Sequence, residues 1–219
     1  MSPGTLRQRH HDSTLEALLA ATESVLKRKG FQSATMRDIA AEAGCSPATL
    51  YQYFTDKQGL LEAITEKYCC VMLTRLEEAE RGIEDPIDRL RAIARLVIEY
   101  HDLHREVFRT ILSMTPQAAS HRGPDVPESV RSRVVERYRT NLSLIRTAQE
   151  RGLMRTDLSA EDLQGVLHQL VMNAAEVFDP GQKVSADEQF RVIWGIVESG
   201  MGIRPKPAET PRANPQARC

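Results

Sequence analysis

Apolar residues recur along this chain at i, i+3, i+4 and i+7, segment after segment, without the strict alternation of a half-buried strand. The pattern predicts helix throughout. Leu15, Leu18, Leu19, Thr22, Val25 and Leu26 form a first stripe, opened by a capping box of Ser13 with Glu16 and ended by Gly30. A second helix opens at Thr35 and buries Ile39, Ala40 and Ala43, all small enough for two helices to pack closely. Gly44 follows, where a left-handed backbone ends a helix without a Cβ penalty. Ser46-Pro47 restarts the chain, serine as N-cap and proline at the first helical position, with Leu50 and Phe54 on the buried face.

Five longer helices follow. One opens near Asp56 and runs to about Glu80 through Leu60, Leu61, Ile64, Tyr68, Val71 and Met72. Asp85-Pro86 starts another, carrying Ile87, Leu90, Ile93, Ala94, Val97 and Tyr100, and residues 101–114 continue it with Leu103, Val107, Phe108, Ile111 and Leu112. After a Pro/Gly/Ser-rich loop at 115–127, a long helix from about Glu128 to Arg151 presents Val130, Val134, Tyr138, Leu142 and Ile145. The last two start at Ser159 with Asp162 and at Ser185 with Glu188. Both are apolar over more than one face, which suggests burial against a partner as well as against the chain's own core.

Residues 30–61 carry the functional signal. Two short helices joined by a tight glycine turn, the second small, polar and aromatic, are the layout of a helix-turn-helix, whose second helix enters the DNA major groove. Pro47, Ala48, Thr49, Gln52 and Tyr53 are left on its outer side, a short uncharged surface suited to close approach to base edges.

The same stretch resembles the TetR family of regulators. Gly30-Phe31, Ala34-Thr35, Ile39-Ala40, Ala43-Gly44, Ser46, Leu50-Tyr51, Tyr53-Phe54, Lys57 and Leu60-Leu61 stand where that family has its signature residues, and the match is specific over about residues 13–61. Cys45 stands where a branched aliphatic is usual, and Gln58 where an acid is common; losing that acid near a helix N-terminus costs about 0.3–1 kcal/mol. The resemblance implies an all-α fold. An N-terminal three-helix DNA-binding domain with the helix-turn-helix would occupy residues 13–56, after a flexible arm at 1–12. A C-terminal helical ligand-binding and dimerisation domain would occupy 57–203, before a disordered, Pro-rich tail at 204–219.

The resemblance also implies roles. Arg37, Pro47, Ala48 and Gln52 would approach bases, while Thr35, Thr49, Tyr51, Tyr53 and Lys57 would hold phosphates. The chemistry suits them: Arg37 can donate to guanine, Gln52 can pair with adenine, and Ala48 can meet a thymine methyl. Thr35 and Ser46 are caps first, Tyr51 reads as a packing residue with or without a phosphate contact, and Arg7 and Arg9 read as a solvated arm or as minor-groove readers. The last two helices would pair with their mates in a homodimer, so the operator would be a near-palindrome in double-stranded DNA. Helices over about 82–180 would enclose a pocket for a small-molecule effector, with Tyr100, His104, Phe108, Met114, Tyr138, His168, Met172, Asn173 and Phe178 as lining candidates and a largely apolar ligand. Effector binding would release the DNA, as from a repressor, through a coupling of about 1–3 kcal/mol.

Composition narrows the rest. A chain of 219 residues, 41% hydrophobic, supports a packed core, and its net charge of −1 gives no global basic character. Residues 1–57 hold seven basic against six acidic side chains, so the electrostatic footprint is local. Four cysteines, Cys45, Cys69, Cys70 and Cys219, show no CxxC spacing, and no apolar run or leader pattern appears, which together point to the cytoplasm. No cofactor is expected. A metal- or redox-responsive regulator of the same fold is the alternative, resting on His101 and His104 at i, i+3 and on Cys69-Cys70. A helical-bundle enzyme is the rival of another class, but no ExxH, HExxH or GxSxG string is present.

Overall fold

The computed structural model describes residues 3–114, 126–174, 178 and 184–203, with the side chains of 3–10 and 111–114 outside that set. The expected tail at 204–219 and most of the expected loop at 115–127 therefore lie outside the described residues. Among the described residues there are nine helices and no strand. They are α1 (Pro3–Ser33), α2 (Met36–Glu42), α3 (Pro47–Tyr53), α4 (Lys57–Ala79), α5 (Pro86–Leu103), α6 (Arg105–Met114), α7 (Glu128–Glu150), α8 (Ala160–Met172) and α9 (Ala186–Gly200).

Local chemistry sets most of these boundaries. Thr35 Oγ1 accepts from Asp38 N at 3.1 Å while Asp38 Oδ2 accepts from Thr35 N at 3.1 Å, a reciprocal box that opens α2. Ser46 Oγ accepts from Thr49 N at 3.1 Å with Pro47 behind it, and Asp56 Oδ1 accepts from Gly59 N at 2.9 Å. Asp85 caps α5 through two backbone N–H groups, and Ser159 and Ser185 cap α8 and α9. Each such cap stabilises its helix by about 1 kcal/mol. The opening of α1 departs from the sequence expectation, and the stretch expected to continue α5 breaks at His104 into α6. Helix α1 begins at Pro3, so Ser13 and Glu16 lie inside a helix rather than at its start, and residues 3–12 are helical. A capping-box string cannot end a helix whose preceding residues contain no breaker.

Two apolar cores form. One joins Leu18, Val25 and Leu26 of α1, Ile39 and Ala40 of α2, Leu50 of α3, and Leu60, Ile64 and Tyr68 of α4, and it reaches Tyr100 of α5 and Val107 of α6. The head is thus not sealed off at residue 56: the first three turns of α4 belong to its core. The other core surrounds α5, whose neighbours are α4, α7, α8 and α9, with Leu90, Ile98, Ile145, Leu163 and Ile193 at its centre. Full burial of each such side chain contributes about 1.5–3 kcal/mol. A charged staple closes the far end of α4, where the buried Glu80 carboxylate accepts from Arg89 Nη2 at 2.7 Å and from Arg137 of α7. No helix among the described residues is long and apolar enough to cross a membrane.

Candidate nucleic-acid interface

α2 and α3 meet at Gly44, whose φ of +67° is the left-handed value that only glycine adopts readily. Gly44 N donates to Ala41 O at 3.2 Å and Cys45 N to Ala40 O at 2.9 Å, so the turn closes α2 on its own carbonyls. Cys45 is half-buried against the head core, a small packed residue. Ile39, Ala40 and Leu50 are essentially inaccessible, at 0%, 1% and 0% exposure, which fixes the opposite side of α3 outward.

That outer side carries the expected residues. Pro47, Ala48, Tyr51 and Gln52 are exposed, Tyr51 to 53%, and Arg37 of α2 is exposed beside them. Thr49 is half-buried, its hydroxyl 2.9 Å from that of Ser46. Tyr53, at the end of α3, has its ring 4.9 Å from that of His11 of α1, so the helical N-terminus of α1 runs past the recognition helix. Thr35 is exposed, but its hydroxyl is engaged with Asp38 in the cap. The Lys57 ammonium donates to the carbonyls of Phe31 at 2.8 Å and Ala34 at 3.1 Å, with Gln32 at 3.4 Å.

The charges of the head are largely spent within it. Lys27 pairs with Glu23 at 3.1 Å, Arg28 with Glu42 at 2.8 Å and Lys29 with Asp38 at 2.7 Å. The Arg28 guanidinium and the Ser24 hydroxyl hold the Glu42 carboxyl down at about 2, and Lys29 with Thr35 does the same for Asp38. Among the described cations of residues 11–57, Arg37 alone has no partner within the protein.

Of the pocket candidates, Tyr100, His104 and Phe108 converge with Tyr68 of α4 and with His101. The Tyr68–His104 ring centroids are 4.6 Å apart, Tyr100–His104 4.7 Å and His101–Phe108 3.9 Å. Burial pulls the pKa of His101 down to about 4, with His168 and His104 adding to the fall. Asn173 donates from Nδ2 to Gln169 O at the end of α8, and Tyr138 on α7 makes no ring contact with this cluster. Phe178 is half-buried beyond α8, and the Met114 side chain lies outside the described residues. A cleft of about 600 Å³ opens elsewhere, between the α4–α5 turn and α7, lined by Leu73, Glu80, Arg89, Arg133 and Arg137 among others. None of the nine candidates lines it. Sequence spacing singled out neither Glu80 nor Glu23, whose partners lie on other helices.

Among the described residues no three His, Cys, Asp or Glu side chains are placed to hold a metal ion. Burial pushes the Cys69 thiol up to about 11, which keeps the reactive thiolate scarce.

The profile of "Bacterial regulatory proteins, tetR family" matches residues 18–64, the segment that folds as the capped pair α2–α3 with its flanking α1 and α4. The chain belongs to the TetR family. The likeness extends past the head. It is 25% identical over 186 residues to the HTH-type transcriptional regulator UidR of Escherichia coli (strain K12), covering 83% of this chain and 91% of that one. It is 28% identical over 199 residues to the HTH-type transcriptional regulator BetI of Yersinia pestis (strain Pestoides F), covering 87% and 94%. A putative transcriptional regulator from Saccharomonospora viridis, solved in complex with choline, shares the fold with a TM-score of 0.70 at 21% identity, over 89% of this chain and 100% of that one. This TetR-family chain is a DNA-binding transcriptional regulator, of a family that is not enzymatic.

Proposed function

We propose that this TetR-family protein is a repressor that binds a near-palindromic operator in the cytoplasm as a homodimer and leaves it when a small-molecule effector binds. The observation that carries the DNA half is the exposed, nearly uncharged face of α3, Pro47, Ala48, Tyr51 and Gln52, beside the single uncommitted guanidinium of Arg37. Pro47, Ala48, Gln52 and Arg37 approach base edges, and Thr49, Tyr51, Tyr53 and Thr35 lie where phosphates pass.

Dimerisation rests on α8 and α9. Val166 is 54% exposed and Ile196 48%, on helices whose other faces already fill the body core through Leu163, Leu167, Ile193 and Val197. A twofold axis through these helices presents one patch to its own copy, the usual geometry of a self-complementary dimer. The effector half rests on the aromatic and histidine cluster of Tyr68, Tyr100, His104 and Phe108, which touches α4, α5 and α6 at once and is mostly apolar. The choline held by the Saccharomonospora viridis neighbour supports a small organic molecule as effector.

The test is a Val166→Glu, Ile196→Glu double variant, measured by sedimentation and by retention of operator-length duplex. The expected result is a folded monomer that has lost duplex binding. A variant that remains dimeric would overturn the α8–α9 assignment.

A further inference from the structure

Lys57 is the first residue of α4, directly after the Asp56 cap and three residues past Phe54, where α3 ends. A cation at a helix N-terminus sits at the positive end of the helix dipole, an unfavourable place unless something nearby offsets it. Here the offset is internal. The three N–H bonds of the ammonium meet the carbonyls of Phe31, Ala34 and Gln32 at 2.8, 3.1 and 3.4 Å, and Nζ lies 4.4 Å from the centre of the Phe31 ring. These carbonyls belong to the turn after Gly30, whose φ of +72° breaks α1 and leaves terminal C=O groups without helical donors. Lys57 thus closes the end of α1 from the start of α4. The recognition helix is held between them, anchored at one end by Ser46 and Leu50 and at the other by Phe54, 8% exposed.

We propose that Lys57 is a positioning residue. It fixes the angle of α3 by tying the α1–α2 turn to the first turn of α4, and it does not itself neutralise an operator phosphate. The ammonium has no donor left for a phosphate unless it gives up a carbonyl. The inference rests on the DNA-binding reading above and gives it a residue-level mechanism.

The experiment uses the full chain and the duplex that the wild-type protein enriches from random sequence, with a scrambled duplex as the non-specific probe. Affinities of wild type, Lys57→Met and Lys57→Arg are followed from roughly 50 to 200 mM salt. Lys57→Met is expected to lower the specific-to-non-specific ratio by about tenfold or more, since a misaligned α3 reads bases poorly, while the slope of log affinity against log salt stays at the wild-type value. Lys57→Arg keeps the charge but spreads it over a planar fork that three converging carbonyls do not fit, so it does not restore the ratio. A phosphate contact gives the opposite pattern and overturns the proposal: a slope shallower by about 0.9 per subunit, an unchanged ratio and a wild-type-like Lys57→Arg. A Lys57→Met protein that binds both duplexes like wild type also overturns it.

Should Lys57→Met fail to fold, the wild-type Lys57 ammonium is followed by nitrogen NMR. A slowly exchanging signal that operator leaves unmoved supports the tether; a signal lost to water exchange in the free protein, or shifted by operator, overturns it. Absence of any enriched duplex for wild type would strike the DNA-binding reading instead, and the free-protein signal would still decide the tether.

Discussion

The Glu23 carboxylate of α1 lies 3.5 Å from Nδ1 of His104 at the α5–α6 corner, and the Tyr68 hydroxyl of α4 lies 3.0 Å from the same nitrogen. Three helices of the two cores therefore share one polar node. Burial alone would raise the Glu23 carboxyl, but the Tyr68 hydroxyl, Lys27 and His104 outweigh it and hold the pKa below the ordinary value. Removing Glu23 and His104 together is expected to cost less than the sum of the single removals, with a coupling of about 1 kcal/mol in a double-mutant cycle read by denaturant unfolding. Additive effects would show that the contact carries no linkage between head and body.

The node also predicts a change in effector response. Tyr68→Phe removes the hydroxyl that joins α4 to His104 while leaving the ring contacts with Tyr100 and Phe108 in place. Operator affinity without effector is expected to stay near wild type, and the effector-induced loss of affinity to shrink several-fold, within the range of about 1–3 kcal/mol typical of such couplings. Equal effector responses in variant and wild type would place the coupling elsewhere.

Acid should attack the head before the body. Glu42 and Asp38 both have folded pKa values near 2, below their ordinary 4.5 and 3.8, through Arg28 and Lys29 respectively. A depressed carboxyl contributes stability that is present above its unfolded value and is lost as pH falls through its folded one. The head is therefore expected to lose stability between about pH 4.5 and 2, and Glu42→Gln to flatten that acid limb. Exposure to solvent keeps each contribution small. Thermal melts at stepped pH check this, and an unchanged limb in Glu42→Gln would contradict the assignment.

His101 adds a second, milder window. Its Nε2 is buried without a partner and burial takes the ring down to about 4, so the folded protein keeps it neutral while the unfolded chain protonates near the ordinary 6.5. Stability from this residue is full above about pH 6.5 and is lost as pH falls toward 4. His101→Leu removes the orphaned nitrogen and is expected to lessen the fall in melting temperature between pH 7 and 5, leaving the part due to His168 and His104, which burial also lowers. A variant that keeps the wild-type decline would move the cause to another group, His168 or His104 being the nearest histidines.

Arg37→Ala is expected to lower operator affinity by about 1–3 kcal/mol and to relax base preference at one position of each half-site. The expectation follows from its being exposed and uncommitted while Lys27, Arg28 and Lys29 are paired to acids. Binding measured against single-base operator variants checks it. A uniform loss across all variants would make Arg37 a phosphate contact.

The parts visible in the sequence were those encoded locally. Thr35 with Asp38, Gly44 and Ser46-Pro47 fix α2, the turn and α3 through contacts three or four residues apart, so their spacing alone reveals them. Lys57 was visible as a conspicuous lysine but not as a tether, because its acceptors lie 23 to 26 residues earlier. Glu80 gives no sign of burial in a run of charged residues, since Arg137 that neutralises it is 57 residues away. The start of α1 is hidden for the opposite reason: Ser13 and Glu16 form a valid local signal that the preceding helical turns override. The pocket candidates divided in the same way. Tyr100, His104 and Phe108 follow one another four residues apart across the α5–α6 corner and meet, whereas Tyr138 on α7 does not join them.

If two copies of α3 read one near-palindrome from a twofold dimer, the operator carries that symmetry. Selection of bound duplexes from a random pool, with wild type and a Gln52→Ala variant compared, reads it out. The expected result is an enriched inverted repeat whose half-sites are centred about 34–36 Å apart, with one base position in each half-site relaxed in Gln52→Ala. No enriched sequence, or an identical motif from the Gln52→Ala variant, would contradict it.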